Sequence, residues 1–105
     1  MAATHDPVLT RFRAALDAAY GERIERVVLY GSRARGDHRP DSDYDVAVFL
    51  RDFDDFGQES RTLAVIETDI LYEDGALVGA MPFRAGAYED RTGFMSEVRR
   101  DGVDL

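Results

Sequence analysis

The stretch Tyr30–Leu50, which reads YGSRARGDHRPDSDYDVAVFL, is where our prediction of the architecture begins. It opens with the pair Gly31 and Ser32, directly after an apolar run that starts at Ile24. Ten residues then separate Ser32 from Asp43, and Asp45 follows two positions later, at the start of a second apolar run. We therefore expect one strand that ends at a Gly-Ser turn and a second strand that begins with two carboxylates.

The two carboxylates predict a metal site. Residues two apart in a strand point to the same face, so Asp43 and Asp45 would lie side by side, roughly 6–7 Å apart at their backbones. Two acids this close repel each other unless a cation lies between them. Ligands that are all oxygen favour Mg²⁺, which keeps waters and takes substrate phosphates as further ligands.

The Gly-Ser turn predicts a phosphate site beside that metal. If the two strands are antiparallel neighbours, the end of the first and the start of the second lie at the same edge of the sheet. Glycine at position 31 lets the backbone approach a phosphate, and Ser32 would open a short helix whose free N–H groups favour anions. Arg33 and Arg35 are suited to hold phosphate oxygens. This arrangement is typical of phosphoryl or nucleotidyl transfer.

Composition narrows the class of protein. We expect one small domain over residues 1–105, with 45% hydrophobic residues, no cysteine and a net charge of −8. The absence of cysteine excludes thiolate catalysis and disulfides, and the acidic balance argues against a nucleic-acid-binding body. No apolar run is long enough to span a membrane and no secretory signal is visible, so a cytoplasmic location is expected.

Periodicity and turn residues predict the remaining elements. We expect a helix capped by Asp6, which ends at Gly21, with His5 and the residues before it frayed. In the second long helix, Leu63, Ile66, Ile70 and Leu71 would face the core. The predicted elements are helices over 7–20, 58–74 and 88–101, strands over 24–30, 43–50 and 76–83, helical turns over 32–35, and loops over 36–42 and 51–57. The expected fold is α/β (α+β), a mixed sheet of about three strands flanked by helices.

Other interpretations of the central stretch fit less well. A P-loop would place lysine where this chain has Asp37, and an EF-hand would need glycine and glutamate where it has Val46 and Asp52. A purely structural polar turn explains Asp43, but it leaves Asp45 as an unpaired acid at the edge of the core, which is costly. Residues expected to be merely exposed or solvated are His38, Asp52, Asp54, Asp55, Glu67 and Asp69.

The pattern of Gly31-Ser32, ten residues and Asp43-x-Asp45 closely resembles the nucleotidyltransferase superfamily of DNA polymerase beta. More narrowly, the chain resembles the minimal nucleotidyltransferases that form toxin–antitoxin pairs with helical HEPN-domain proteins. The resemblance implies that Gly31 and Ser32 hold the terminal phosphates of the nucleotide, and that Asp43 and Asp45 bind Mg²⁺. It implies an antitoxin that moves AMP from ATP onto a tyrosine of a HEPN-type RNase toxin, with no direct contact to nucleic acid or membrane.

One departure from the family leaves a second interpretation open. Active members usually place a third carboxylate on the next strand, whereas the predicted strand over 76–83 contains no acid. Glu67, Asp69 or Asp74 would have to reach in from the preceding helix. The alternative is therefore a catalytically weak or inactive protein of the same fold that neutralises its partner by docking. A third possibility, nucleotidyl transfer to a small molecule, usually needs a second domain.

Overall fold

The computed structural model describes residues 6–105, so the fraying predicted around His5 lies outside the described residues. Helices α1 to α4 cover Pro7–Tyr20, Ser32–Arg35, Phe56–Asp74 and Gly93–Asp101. Strands β1 to β4 cover Ile24–Tyr30, Tyr44–Leu50, Val78–Arg84 and Val103–Asp104. Two 3₁₀ turns, Gly21–Arg23 and Ala87–Glu89, lie before β1 and before α4.

The four strands form one mixed sheet in the order β3-β2-β1-β4. Strand β1 runs antiparallel to β2, as the sequence analysis assumed, and β2 runs parallel to β3. The antiparallel register pairs Tyr30 directly with Asp45, so the end of β1 and the start of β2 lie at the same edge of the sheet. The predicted mixed sheet flanked by helices is confirmed, with β4 as an additional short strand beside β1.

The two faces of the sheet are covered by different helices. On one face α1 and α3 pack over alternate residues of β2, which are Tyr44, Val46, Val48 and Leu50. On the other face Met95 and Val98 of α4 pack over Ala47 and Phe49. Because side chains alternate along a strand, Asp45 lies on the face that α4 covers. All residues of β2 from Val46 to Leu50 are buried, which confirms the central position predicted for this strand.

Capping residues fix the limits of the two long helices. The side chain of Asp6 accepts a hydrogen bond from the N–H of Val8, as predicted, and α1 ends before Gly21. Helix α3 begins at Phe56 rather than at Gln58, because the Asp55 carboxylate accepts from the N–H of Gln58 and caps the helix. The predicted loop over 51–57 is therefore two residues shorter than expected.

Three sequence-based assignments need correction. Strand β3 runs from Val78 to Arg84 and includes Pro82, which an edge strand tolerates because its missing N–H faces away from the sheet. The predicted helix over 88–101 is a 3₁₀ turn that contains Tyr88, followed by α4, whose start is capped by the Thr92 hydroxyl. Leu71 is 45% exposed rather than buried.

No helix within residues 6–105 is both long enough and apolar enough to span a bilayer.

Candidate active site

The turn between β1 and α2 brings Gly31 against the carboxylate of Asp45. A Cβ built on Gly31 would lie 2.5 Å from Asp45 Oδ2, so a side chain here would displace that carboxylate. The φ of Gly31 is +77°, which is a backbone conformation that residues with a side chain rarely adopt. The backbone therefore favours glycine at this position, and the lack of a side chain lets the turn lie against Asp45.

The Asp45 carboxylate is half-buried without a bonded partner among the described residues. Burial raises the pKa of Asp45, the charge of Asp43 raises it further, and the charge of the Arg35 guanidinium lowers it. Strand β2 begins at Tyr44, one position later than predicted, so Asp43 lies directly before the strand, and it is exposed. Two carboxylates held together in this way, one of them partly desolvated, are arranged for a cation.

The chemistry of this donor set fits Mg²⁺ that is only partly held by protein. Among residues 6–105, no three histidine or acidic side chains are close enough to form a complete cation site. A hard cation such as Mg²⁺ typically takes one or two carboxylates and fills its other positions with water and phosphate oxygens. Asp43 and Asp45 match that requirement, because they supply two oxygen donors beside an open turn.

Ser32 begins α2 beside the turn, whereas Arg33 of the same helix lies on the opposite face of the sheet. Ser32 is half-buried and begins α2, directly after Gly31. Arg33 points away from Asp45: its guanidinium lies 4.0 Å over the ring of Tyr44, on the opposite face of the sheet. The same guanidinium donates to the carbonyls of Ser42 and Pro40, at 2.9 and 3.0 Å. These contacts anchor the 36–42 loop, so the structure does not bring Arg33 together with the two aspartates.

Arg35 lies on the same side as Asp45. Its Nε is 3.2 Å from Asp37 Oδ2, and its Nη1 is 3.6 Å from Asp101 Oδ2, at the end of α4. The hydrogen bond and charge of Asp37, followed by the charge of Asp101, raise the pKa of Arg35. Because its pKa is raised, the guanidinium stays positively charged. It is partly exposed at the border of the site.

Strand β3 offers no third carboxylate to the site. Gly79, Met81 and Phe83 alternate along the face that β3 shares with Asp45, and Gly79 is the direct neighbour of Asp45 in the register. Glu67 reaches β3 from α3, but its Oε2 accepts a hydrogen bond of 2.7 Å from the N–H of Ala80 at the strand edge. Asp74 pairs with Arg11 at 3.0 Å. Asp69 is exposed on α3, which covers the other face of the sheet.

Helix α4 brings residues to the site that the sequence analysis did not single out. Phe94 packs edge-on against the Tyr30 ring, with 5.3 Å between the ring centroids, and Asp101 contacts Arg35 two turns later. Glu97 lies between them on the same helix stripe. Burial, the charge of Asp45 and the charge of Glu97 together raise the pKa of Tyr30. The spacing of 94, 97 and 101 indicated a helix stripe, but it did not indicate which edge of the sheet that stripe would cover.

Of the residues that we expected to be merely exposed or solvated, several have the predicted exposure. His38, Asp52 and Asp54 are exposed, and His38 lies in the loop that follows α2. Asp55 is also exposed but has a structural role as the cap of α3. Glu67 is the exception, because it is half-buried and bonded to the edge of β3.

Comparison of the sequence with known protein families identifies the family of this chain. Residues 9–92 match the family model described as nucleotidyltransferase domain. The chain belongs to the nucleotidyltransferase domain family. This nucleotidyltransferase is also 24% identical over 98 residues to a protein of Methanocaldococcus jannaschii named "Putative protein adenylyltransferase MJ0141", with 93% of this chain and 95% of that protein covered.

Two solved structures share the fold of this nucleotidyltransferase. One, from Sulfolobus solfataricus, is described as a "putative nucleotidyltransferase" and superposes with a TM-score of 0.64 at 17% identity, over 92% of this chain and 75% of the other. The second is described as a toxin–antitoxin with AMP-PNP and has a TM-score of 0.68 at 17% identity, over 90% and 69% of the two chains. The predicted membership of the nucleotidyltransferases is confirmed by the family model, and the solved structures agree with the predicted fold.

Proposed function

We propose that this nucleotidyltransferase is an Mg²⁺-dependent protein adenylyltransferase, and that it acts as one minimal domain over residues 1–105. It transfers AMP from ATP to a hydroxyl group of a partner protein, and the partner is a cytoplasmic HEPN-type RNase toxin that it silences. The observation that supports this proposal most directly is the Asp45 carboxylate, which lies against a side-chain-free turn, beside a second carboxylate and without a bonded partner among residues 6–105.

The proposed roles follow from where each group lies. Asp43 and Asp45 hold Mg²⁺, which when bound neutralises charge on the phosphates of ATP. The backbone at Gly31 and the hydroxyl of Ser32 contact the terminal phosphates. Gly31 has no side chain, so phosphates can approach the turn close to Asp45. Arg35 contributes its guanidinium at the border of the site. Arg33, which the sequence analysis grouped with Arg35, instead positions the loop that precedes Asp43.

The reaction is an in-line displacement. The acceptor hydroxyl oxygen forms a bond to the α-phosphorus of ATP while the bond from that phosphorus to the bridging oxygen breaks. Pyrophosphate leaves with the bonding electrons, and the hydroxyl proton passes to water at the open mouth of the site. Two carboxylates for the cation and the Arg35 guanidinium at the border can position this step and stabilise its charge, which is most of what phosphoryl transfer requires from a protein.

The names of the relatives support the choice of acceptor and partner. The similar archaeal protein is named as an adenylyltransferase of proteins, and one structural neighbour was solved as a toxin–antitoxin with an ATP analogue. The net charge of −8 suits a basic partner. The residues that form the site lie at one open edge of the sheet, where a second protein can approach.

A direct experiment tests the proposal. The chain is incubated with Mg-ATP and a HEPN-domain protein, and both proteins are weighed by intact mass spectrometry. We expect an AMP adduct on the HEPN protein that requires Mg²⁺ and disappears in Asp43→Asn and Asp45→Asn. Asp41→Asn, which removes an exposed acid from the same loop, is the matched control and retains transfer. An adduct that forms equally with Asp45→Asn contradicts the proposal.

A second candidate function is neutralisation by docking alone. It is favoured by one observation, which is that β3 places Gly79 and Met81, rather than an acid, beside Asp45. Under this alternative the toxin is inhibited without any AMP adduct, and Asp45→Asn inhibits as well as the wild type does. Measuring RNase activity and adduct mass in the same samples separates the two functions.

A further inference from the structure

We propose that the acceptor protein docks on an apolar surface beside Asp45, which we call the acceptor face and define as Gly79, Met81 and Phe83 of β3 with Phe94 of α4. The occupant is a segment of the partner in which the acceptor hydroxyl lies next to apolar or aromatic side chains, such as a tyrosine flanked by apolar residues. This inference rests on the proposed function, since it names the surface through which the acceptor reaches the same site.

Gly79 leaves an open path from the edge of the sheet to Asp45. It is the register partner of Asp45, and a Cβ built on it would lie 3.9 Å from Asp45 Oδ1, at ordinary contact distance. Gly79 is exposed, and its φ is not among the positive values, so its backbone does not require glycine. The missing side chain is therefore not required by the backbone, and it leaves space beside the carboxylate.

Apolar side chains border this path. Phe94 stacks on Phe83 of β3 with 5.7 Å between ring centroids and also contacts Tyr30 of β1, so two strands hold its ring. It remains 38% exposed, and Met81, on the same face of β3, is 43% exposed. Exposed aromatic rings and adaptable thioethers are enriched on surfaces that receive a protein side chain.

The edge of β3 is not available for pairing with an added strand. The outward N–H of Ala80 is already bonded to Glu67, and Pro82, two residues further on, has no N–H. A partner at this edge therefore has to bind through side chains rather than by extending the sheet. On its opposite side Asp45 is covered by the Gly31 turn, which leaves the side of β3 as the natural approach for an acceptor.

The test uses the full chain and a HEPN-domain protein, which is the partner class of the proposed function. Met81→Asp and Gly79→Leu are the main variants, and Phe94→Asp is added with a check of its thermal unfolding. Tyr72→Asp is the matched control, because Tyr72 is 88% exposed on α3 and lies outside the acceptor face. Affinity for the HEPN protein, affinity for Mg-ATP and AMP transfer are measured separately for each variant.

We expect Met81→Asp and Gly79→Leu to weaken binding of the HEPN protein by about tenfold or more, with Mg-ATP affinity unchanged in Met81→Asp and Tyr72→Asp like the wild type. Partner affinity that is unaffected by both variants overturns the inference, as does a loss of Mg-ATP affinity in Met81→Asp, which would make this a surface for the nucleobase. If the wild type binds the partner through this face but transfers no AMP, the acceptor face stands and the proposed transfer fails. A wild type that does not bind the HEPN protein overturns the inference.

Discussion

The carboxylate of Asp45 occupies the space that a side chain at Gly31 would need, with its Oδ2 2.5 Å from the position of a Cβ built there. Strand pairing alone does not produce this contact, because Asp45 is paired with Tyr30 and the turn then brings the next residue back over the acid. The positive φ of Gly31 makes that turn possible. The proposed metal position and the proposed phosphate position are thus coupled through one residue.

Gly31→Ala is therefore expected to damage both stability and binding. The added methyl group strains the backbone and displaces Asp45, and together these effects lower the free energy of unfolding by about 2–4 kcal/mol. Binding of Mg-ATP, measured by calorimetry, should be lost in the folded protein. Gly75→Ala is the control, since Gly75 also has a positive φ but has open space around it. It should cost only the backbone strain, about 1–2 kcal/mol, and should bind normally.

Asp45→Asn should stabilise the protein while it abolishes function. Burial and Asp43 raise the pKa of Asp45 above that of the unfolded chain, so the native state binds this proton more tightly. The contribution of Asp45 to stability is therefore most favourable at low pH and declines as the pH rises from the unfolded pKa, near 3.8, through the raised folded pKa. At pH 7 the charged form carries the penalty, which asparagine does not.

We expect Asp45→Asn to raise the free energy of unfolding at pH 7 by up to about 1 kcal/mol, a modest gain because water still reaches the carboxylate. Urea unfolding at pH 7 and near pH 3 measures this difference, which should shrink at the lower pH. Mg²⁺ should raise the unfolding midpoint of the wild type but not that of the variant. A variant that is less stable than the wild type at pH 7 would show that Asp45 has a stabilising partner.

Substitutions of Arg33 and Arg35 should have different effects on stability and on nucleotide binding. Arg33→Ala removes hydrogen bonds to two loop carbonyls and the stacking on Tyr44, which predicts a loss of about 1–3 kcal/mol in unfolding free energy. Arg35→Ala removes only partly exposed ion pairs, so the unfolding midpoint should hardly change while Mg-ATP affinity falls. Thermal unfolding and calorimetry on the two variants check this contrast. The opposite pattern would place Arg33 at the nucleotide.

Glu67→Ala should expose the edge of β3. The Ala80 N–H loses its acceptor, and an unpaired edge N–H invites pairing with a second chain. We expect a concentration-dependent shift toward dimers in sedimentation velocity and a loss of about 1 kcal/mol in stability. Glu67→Gln keeps an oxygen acceptor and should stay like the wild type in association state. If both variants remain unchanged in sedimentation, the edge is protected by other means.

The sequence predicted the centre of this fold well and its periphery less well. The Gly-Ser turn, the alternation of Asp43 and Asp45 and the apolar run after them are local signals, and they predicted β1, α2 and β2 nearly to the residue. Strand β4 has two residues, which is too short for any periodicity to appear. The position of α4 over the site depends on contacts between Phe94 and β1 and between Asp101 and α2, and spacing along one helix does not predict such contacts.

The same limit applies to the arginines of α2. Composition showed that positive charge collects in this stretch, but the side of the sheet reached by each guanidinium depends on the turn of a four-residue helix. Likewise, the absence of an acid from β3 was visible in the sequence, whereas the register that sets Gly79 beside Asp45 was not. Tertiary pairing, rather than residue type, decides both.

Helix α2 carries one arginine to each face of the sheet, and this division has an evolutionary consequence. Position 33 is tied to the framework, so it has little freedom to vary among homologues. Position 35 borders the ligand cleft and contributes little to the stability of the fold. A substitution there can therefore change which anion is preferred without destabilising the protein. Natural variation along this short segment should therefore concentrate at the second arginine and spare the first.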